Sequence, residues 1–212
     1  MSARVEVGAR LAMIARLAVA LVVTAALVTN ALTSLRDGVI AQNLSFFTNQ
    51  SNALYVVAVV LVAAYGSQRP AWLDAFRGAV TFYLLMTGVI YATLVAPLDE
   101  LGRWDIGWTG IVLHRLSPVA AVLGWLLTPR RHSARWSRAL WWQLYPIAFL
   151  AFTWIRGGQT GWYPYGFLDP TLGGWQPVLL TTFVVLVVFL ASGALVHSVE
   201  GLLRRSPTAR RH

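Results

Sequence analysis

The chain has 212 residues, of which 57% are hydrophobic and 12% charged, with mean hydropathy +0.61 and net charge +9. A soluble domain carries about twice that share of charge, so the composition excludes an ordinary water-soluble globule. No cysteine is present, which excludes disulfides, thiolate metal centres and a cysteine nucleophile.

A crossing needs roughly 20 apolar residues, and six such stretches are read at 11–32, 46–65, 76–96, 108–128, 139–156 and 175–197. Only helices or closed barrels satisfy their backbone in lipid, and no strand-like alternation competes. The expected fold is therefore all-α: one polytopic transmembrane domain over 1–212, with six spans. The first apolar run is longer than a signal core and is followed by no cleavage site, so it is read as a span.

Every basic residue is Arg. Arg4, Arg10, Arg69, Arg77, Arg130, Arg131, Arg135, Arg138, Arg204, Arg205, Arg210 and Arg211 fall on one side of this topology. Arg36, Arg103 and Arg156 fall on the other, with Asp37, Asp99, Glu100, Asp105 and Asp169. The positive-inside rule puts both termini in the cytoplasm, with 198–212 a basic cytoplasmic tail. The positive charge reads as a topogenic, headgroup-facing layer. The expected partner on this ground is the bilayer, with no nucleic acid. Arg16, near the inner end of the first span, reads as a snorkelling side chain. The Trp and Tyr residues near span ends (Trp72, Trp104, Trp108, Trp136, Trp141, Trp142, Trp162, Trp175) read mostly as an interfacial belt.

The second span opens with FFTNQSN, Phe46 to Asn52. Polar groups entering a membrane cost free energy unless the bundle uses them. Thr48, Ser51, Asn52 and Tyr55 share one helical face, around which the bundle is expected to assemble. The third span contributes the stripe Tyr83, Thr87, Tyr91. The fourth carries His114, Arg115, Ser117 and Pro118. Pro118 lacks an N–H, so the His114 carbonyl loses its helical partner and a kink is expected. At about 1.5 Å per residue, Thr48 and His114 lie within roughly 5 Å of one another in depth, in the outer half of the bilayer. The outer 157–174 connector is turn-forming, and its TGWYPYGFLDP segment, with Tyr163, Tyr165 and Asp169, reads as a lid.

A threonine hydroxyl becomes a nucleophile when a base takes its proton, and neutral histidine is the usual base. A Thr48–His114 dyad is one reading of this face. Asn49, Asn52, Tyr91 and Arg115 are the candidate substrate or oxyanion donors, with Ser51, Thr87, Ser117 and Pro118 behind them. Asp105 or Asp169 would have to reach in from loops to orient the histidine. The bland readings are helix capping and inter-helix hydrogen bonding by Thr48, Asn49 and Asn52, and a structural histidine at 114. His114, His132, His197 and His212 share no ligand spacing, so neither a metal nor a cofactor is expected. No phosphate loop, dinucleotide fingerprint or serine elbow is present. Nor does any acid lie deep in the spans, as a proton pump would need.

FFTNQSN, TGVIY (Thr87 to Tyr91), His114 ahead of Ser117-Pro118, and WYPYGFLDP (Trp162 to Pro170) together resemble the bacterial "Pr-six-Pr" family of six-span membrane proteins. The resemblance runs from about residue 40 to 195. Gly124 departs from it, since many relatives carry Asp there. That family is more distantly similar to the androgen-induced and androgen-dependent transmembrane hydrolases of fatty-acid esters of hydroxy fatty acids. What the resemblance implies is a bacterial inner-membrane location and an ester hydrolase acting on a lipid-like substrate, with Thr48 as nucleophile and His114 as base. The alternative is a non-catalytic protein that binds or carries a lipid or small amphiphile in the same pocket.

Overall fold

A computed structural model describes residues 3–66, 68–96, 105–128 and 136–205, with side chains described for residues 7–199 among them. Asp99, Glu100, Arg103, Trp104, Arg130, Arg131, His132, Arg135, Arg210, Arg211 and His212 lie outside the described residues, as do the side chains of Arg4, Arg204 and Arg205.

The described chain is helical throughout its regular structure. In order, the helices are α1 (Ala3–Arg36), α2 (Ile40–Asn43), α3 (Phe47–Tyr65), α4 (Ala71–Ile90), α5 (Trp108–Ile111), α6 (Ser117–Leu126), α7 (Ser137–Trp142), α8 (Leu144–Thr160) and α9 (Trp175–Arg205). Two π-helical turns are spliced in: Tyr91–Val95 continues α4, and Val112–Leu116 joins α5 to α6. Among the described residues, five helical stretches are long and apolar enough to cross a membrane: Val7–Arg36, Phe47–Tyr65, Ala71–Val95, Trp108–Leu126 and Trp175–Val199.

The span expected at 139–156 is in two pieces. Pro146 sits in the first turn of α8, where a missing N–H is tolerated. The carbonyl four residues back, Trp142, therefore has no helical donor. Tyr83 supplies one, its hydroxyl donating to Trp142 O at 3.1 Å. Gln143, between the pieces, is buried, and its Nε2 donates to Ala139 O and Phe189 O. Residues 198–205, expected in a tail, extend α9.

Thr48, Ser51, Asn52 and Tyr55 are all buried, as the shared face requires. The central element, however, is α4. Every residue from Arg77 to Leu84 is buried, and a helix enclosed on all sides is one with neighbours all round. One core cluster joins Phe82, Tyr83 and Met86 to Phe47, Phe149 and Phe189. The other joins Val80 and Leu84 to Val23, Tyr55 and Leu113.

Large apolar side chains stand exposed along α1 (Leu11, Ile14, Leu21, Leu32) and α9 (Leu180, Phe183, Leu190). A water-soluble monomer does not present such continuous apolar faces; in lipid they cost nothing. Trp72, Trp108, Trp136, Trp141 and Trp175 are exposed, as a belt requires. Trp142 departs from it, buried and stacked on Phe82. Arg16 does not snorkel outward. Its Nη2 donates across the bundle to Gly124 O at 3.4 Å, because a glycine there leaves room for the guanidinium.

Candidate functional site

α3 starts and α4 ends at the same end of the bundle, and a cavity lies there. It offers about 60 Å³ to the centres of water-sized spheres, several times what one water needs. Polar side chains reach it from five places: Thr48 on α3, Thr87 on α4, Tyr91 and His114 on the two π-helical turns, and Tyr165 in the loop after α8. The rest of the wall is apolar, with Phe47, Met86, Phe149, Leu168 and Phe189 prominent.

The backbone explains why these side chains converge. In a π turn the N–H reaches five residues back, so each turn carries one residue more than an α turn. Ala96 N–H donates to Tyr91 O at 2.8 Å, and Ser117 N–H to Val112 O. Such turns concentrate at functional positions. Here they sit opposite one another, and the Tyr91 and His114 rings stack with centroids 4.0 Å apart and planes 21° from parallel.

The second turn also strips the Leu113 carbonyl of its α-helical donor. Asn52 Nδ2 fills the gap from α3 at 3.1 Å, and Ser117 Oγ does so at 3.2 Å. The His114 carbonyl, four residues ahead of Pro118, faces α4 at Gly88. A Cβ there would lie 3.8 Å from that oxygen and only 3.2 Å from Pro118 Cβ, so the close approach of the two helices needs a small residue.

His114 Nδ1 lies 3.1 Å from Gly110 O. A carbonyl only accepts, so the neutral ring making this bond carries its hydrogen on Nδ1, and Nε2 is the basic nitrogen. A backbone carbonyl thus takes the orienting role, since no carboxylate lines this cavity.

Thr48 lies in the first turn of α3, where backbone N–H groups have no helical acceptor. The N-cap Phe46 supplies none from its side chain. Tyr165 does: Thr48 N–H donates to its hydroxyl at 3.5 Å, and the Thr48 hydroxyl bonds to the same oxygen. Tyr165 is half-buried as a residue, while its hydroxyl lies within the bundle. Burial pushes the phenol above its ordinary value, and donors at Thr48 and Phe47 offset this only in part. It stays protonated at neutral pH and can donate to an oxyanion.

The other expected site residues are placed differently. Asn52 is fully buried and its amide nitrogen is committed to Thr48 O and Leu113 O. Asn49 Nδ2 donates to Asn43 O at 2.8 Å, tying α3 to the preceding turn. Arg115 is half-buried and does not line the cavity. Ser51 Oγ donates to Phe47 O and accepts from Thr87. Of the four donor candidates, Tyr91 is the one at the cavity.

The loop is held against the bundle. Gly161, in the left-handed conformation, ends α8. Tyr163 packs onto Gly157 so closely that a Cβ at 157 would overlap its ring. Phe46 takes Trp162 and Tyr165 edge-on. Tyr165, Phe167 and Leu168 form cavity wall. Asp169 points elsewhere: its Oδ1 accepts from Thr171 N and Oγ1 at 2.8 and 2.6 Å, closing a turn. Among the described residues no cluster of side chains suits a metal ion.

No protein-family model matches the chain, and neither the curated proteins nor the solved structures compared with it gave a match.

Proposed function

We propose that this chain is a six-span protein of a bacterial inner membrane, with cytoplasmic termini, that cleaves fatty-acyl esters in its cavity through Thr48. The observation that carries the reading is that the Thr48 hydroxyl and the His114 imidazole line one apolar-walled cavity. The sixth crossing in this reading is α7 and α8 together. Residues 137–160 in helical rise cover about 36 Å, enough for a hydrocarbon core.

The ester carbonyl sits between Thr48 and Tyr165. His114 Nε2 takes the Thr48 proton as Oγ attacks, and the oxyanion receives the hydrogen bond of the Tyr165 hydroxyl. The imidazolium gives that proton to the departing alcohol, leaving acyl-threonine. Water then attacks the acyl carbon and His114 takes its proton. Collapse returns the proton to Thr48 Oγ and releases the fatty acid. Gly110 O holds the imidazole throughout, and the apolar wall takes the acyl chain.

The second reading is a carrier that holds a lipid without cleaving it. The contact between the Thr48 hydroxyl and Tyr165 favours it, since that hydroxyl already has a partner. Both readings are tested with purified protein in detergent, a panel of acyl esters and a fluorophosphonate probe. Thr48→Ala and His114→Ala are each expected to abolish labelling and turnover with folding intact. Full turnover in either variant refutes the mechanism. Lipid retained without turnover by the wild-type chain selects the carrier.

A further inference from the structure

A second cavity lies toward the other end of the bundle, between α1, α3, α4 and α6. It offers about 40 Å³ to water-sized centres. Two guanidiniums line it, Arg16 from α1 and Arg77 from α4, and no carboxylate does. Tyr55 and Thr81 add hydroxyls, and Val59, Val62 and Ala121 are among its aliphatic walls.

Neither arginine is saturated by protein. Arg77 is buried, and its hydrogen bond is one contact at 3.4 Å to Asp74, a residue that also lies 4.0 Å from Arg69. Arg16 makes one bond, to Gly124 O at 3.4 Å. Both contacts are long for charge-assisted bonds. Each guanidinium has five N–H donors, so most of them face solvent or the cavity. Two like charges beside a low-dielectric wall are costly, and an oxyanion between them removes that cost. The aliphatic walls suit an amphiphile better than a free inorganic ion.

We propose that this cavity is a binding site for an anionic amphiphile, whose phosphate or carboxylate group lies between Arg16 and Arg77 and whose hydrocarbon runs along Val59, Val62 and Ala121. The site is separate from the Thr48 cavity and needs no ester chemistry, so its fate is independent of the proposed hydrolysis.

The test reconstitutes the full chain in phosphatidylcholine nanodiscs doped with phosphatidylglycerol, with oleate, or with neither. Lipid retained after transfer to detergent is then read by native mass spectrometry. The wild-type chain is expected to keep the anionic species over phosphatidylcholine. Retention of phosphatidylglycerol identifies a phosphate headgroup, and retention of oleate a carboxylate.

Arg16→Gln should lower retention about tenfold or more, the usual consequence of losing a charged hydrogen bond. Gly124→Asp attacks the site differently. Its Cβ would stand 3.5 Å from Arg16 Nε, so its carboxylate replaces the ligand from within, and retention should fall as far. Thermal unfolding of both variants confirms the fold, and Gly124→Asp carries the test should Arg16→Gln not fold. Equal retention of anionic and zwitterionic lipid by the wild type, or undiminished anionic retention in the folded variants, overturns the proposal.

Discussion

Replacing Asn52 by Leu tests whether the widened turn at His114 is held from outside its own helix. Asn52 is fully buried, and its Nδ2 donates to Thr48 O at 2.8 Å and to Leu113 O at 3.1 Å. The first bond is within α3 and repeats what the helix already provides. The second crosses between helices to a carbonyl whose α-helical donor has gone to Val112 O. Leu has the same branching and nearly the same length, so the variant removes the bonds with little change in packing. Asn52 Oδ1 has no hydrogen-bond partner, so its loss relieves a small cost and keeps the net effect modest. Hydrogen bonds between helices in membranes average about 0.6 kcal/mol and reach about 1.7. A chain of this size loses roughly 2–4 °C of Tm per kcal/mol, so Asn52→Leu should lower Tm by about 1–7 °C in detergent. Thr24→Val is the control, because Thr24 Oγ1 donates only within α1, to Ala20 O at 2.8 Å. It should move Tm by less than about 1 °C, the size of an exchangeable local bond. If Asn52→Leu unfolds at the same temperature as Thr24→Val, the turn is self-supporting and the account of Leu113 is wrong.

Tyr83→Phe should cost about 1 kcal/mol, and less in a Pro146→Ala background, where the backbone N–H gained at position 146 can reach Trp142 O. A cost unchanged by the second substitution would dissociate Tyr83 from the proline. Tyr165→Phe keeps the ring against Phe46 and Phe167 but deletes the hydroxyl at Thr48. Turnover of an ester substrate is expected to fall roughly 10²–10³-fold with a loss of about 1 kcal/mol in stability from the Thr48 N–H left without its acceptor, and an unaltered rate removes Tyr165 from the proposed mechanism. Gly157→Ala puts a methyl into the Tyr163 ring, costs about 1–3 kcal/mol, and should speed proteolysis within 161–174; an unchanged digestion pattern would refute the tight docking. Asp74→Asn leaves Arg77 buried without its carboxylate, a loss of about 3–5 kcal/mol by analogy with broken buried pairs, measured as a fall in the yield of folded protein.

Hydropathy made the long helices legible, because a lipid-facing surface leaves its mark on every turn of α1 and α9. It overestimated the continuity of 139–156, where Pro146 and Gln143 divide the helix by local bonding that an average over the window does not see. Placing Thr48 and His114 at similar depth needed only the rise of a helix and the direction of each span. Their neighbours were harder. Asn49 and Asn52 have the right chemistry for a site, yet nearby backbone carbonyls take their amides, which depends on where the turns fall. Pro118 signalled a disturbed helix, but the π turn ahead of it is contacted by Tyr91 and Asn52, each distant in sequence. Tyr165 read as part of a lid. That its hydroxyl lies at the start of α3 follows from the loop's path between Gly161 and Gly174, which no periodicity encodes. Arg16 turned inward because Gly124 offers a carbonyl and no side chain, a pairing of residues 108 positions apart.

The two π turns have a consequence for how length can vary in this chain. Each holds one residue beyond what its rise requires, so each is a place where a single deletion leaves an unbroken helix. Whereas a one-residue deletion in a regular turn would swing everything beyond it by about 100°, taking one residue from 112–116 would rewind that turn to 3.6 residues and leave the helix beyond it close to its present phase. Such a deletion would be read as silent by hydropathy and by helix content, yet it would carry the imidazole away from the Tyr91 ring. Spare length stored at one level of the bundle lets the count there change by one while both ends keep their phase, and ties the identity of the cavity to a count of residues as much as to their kinds.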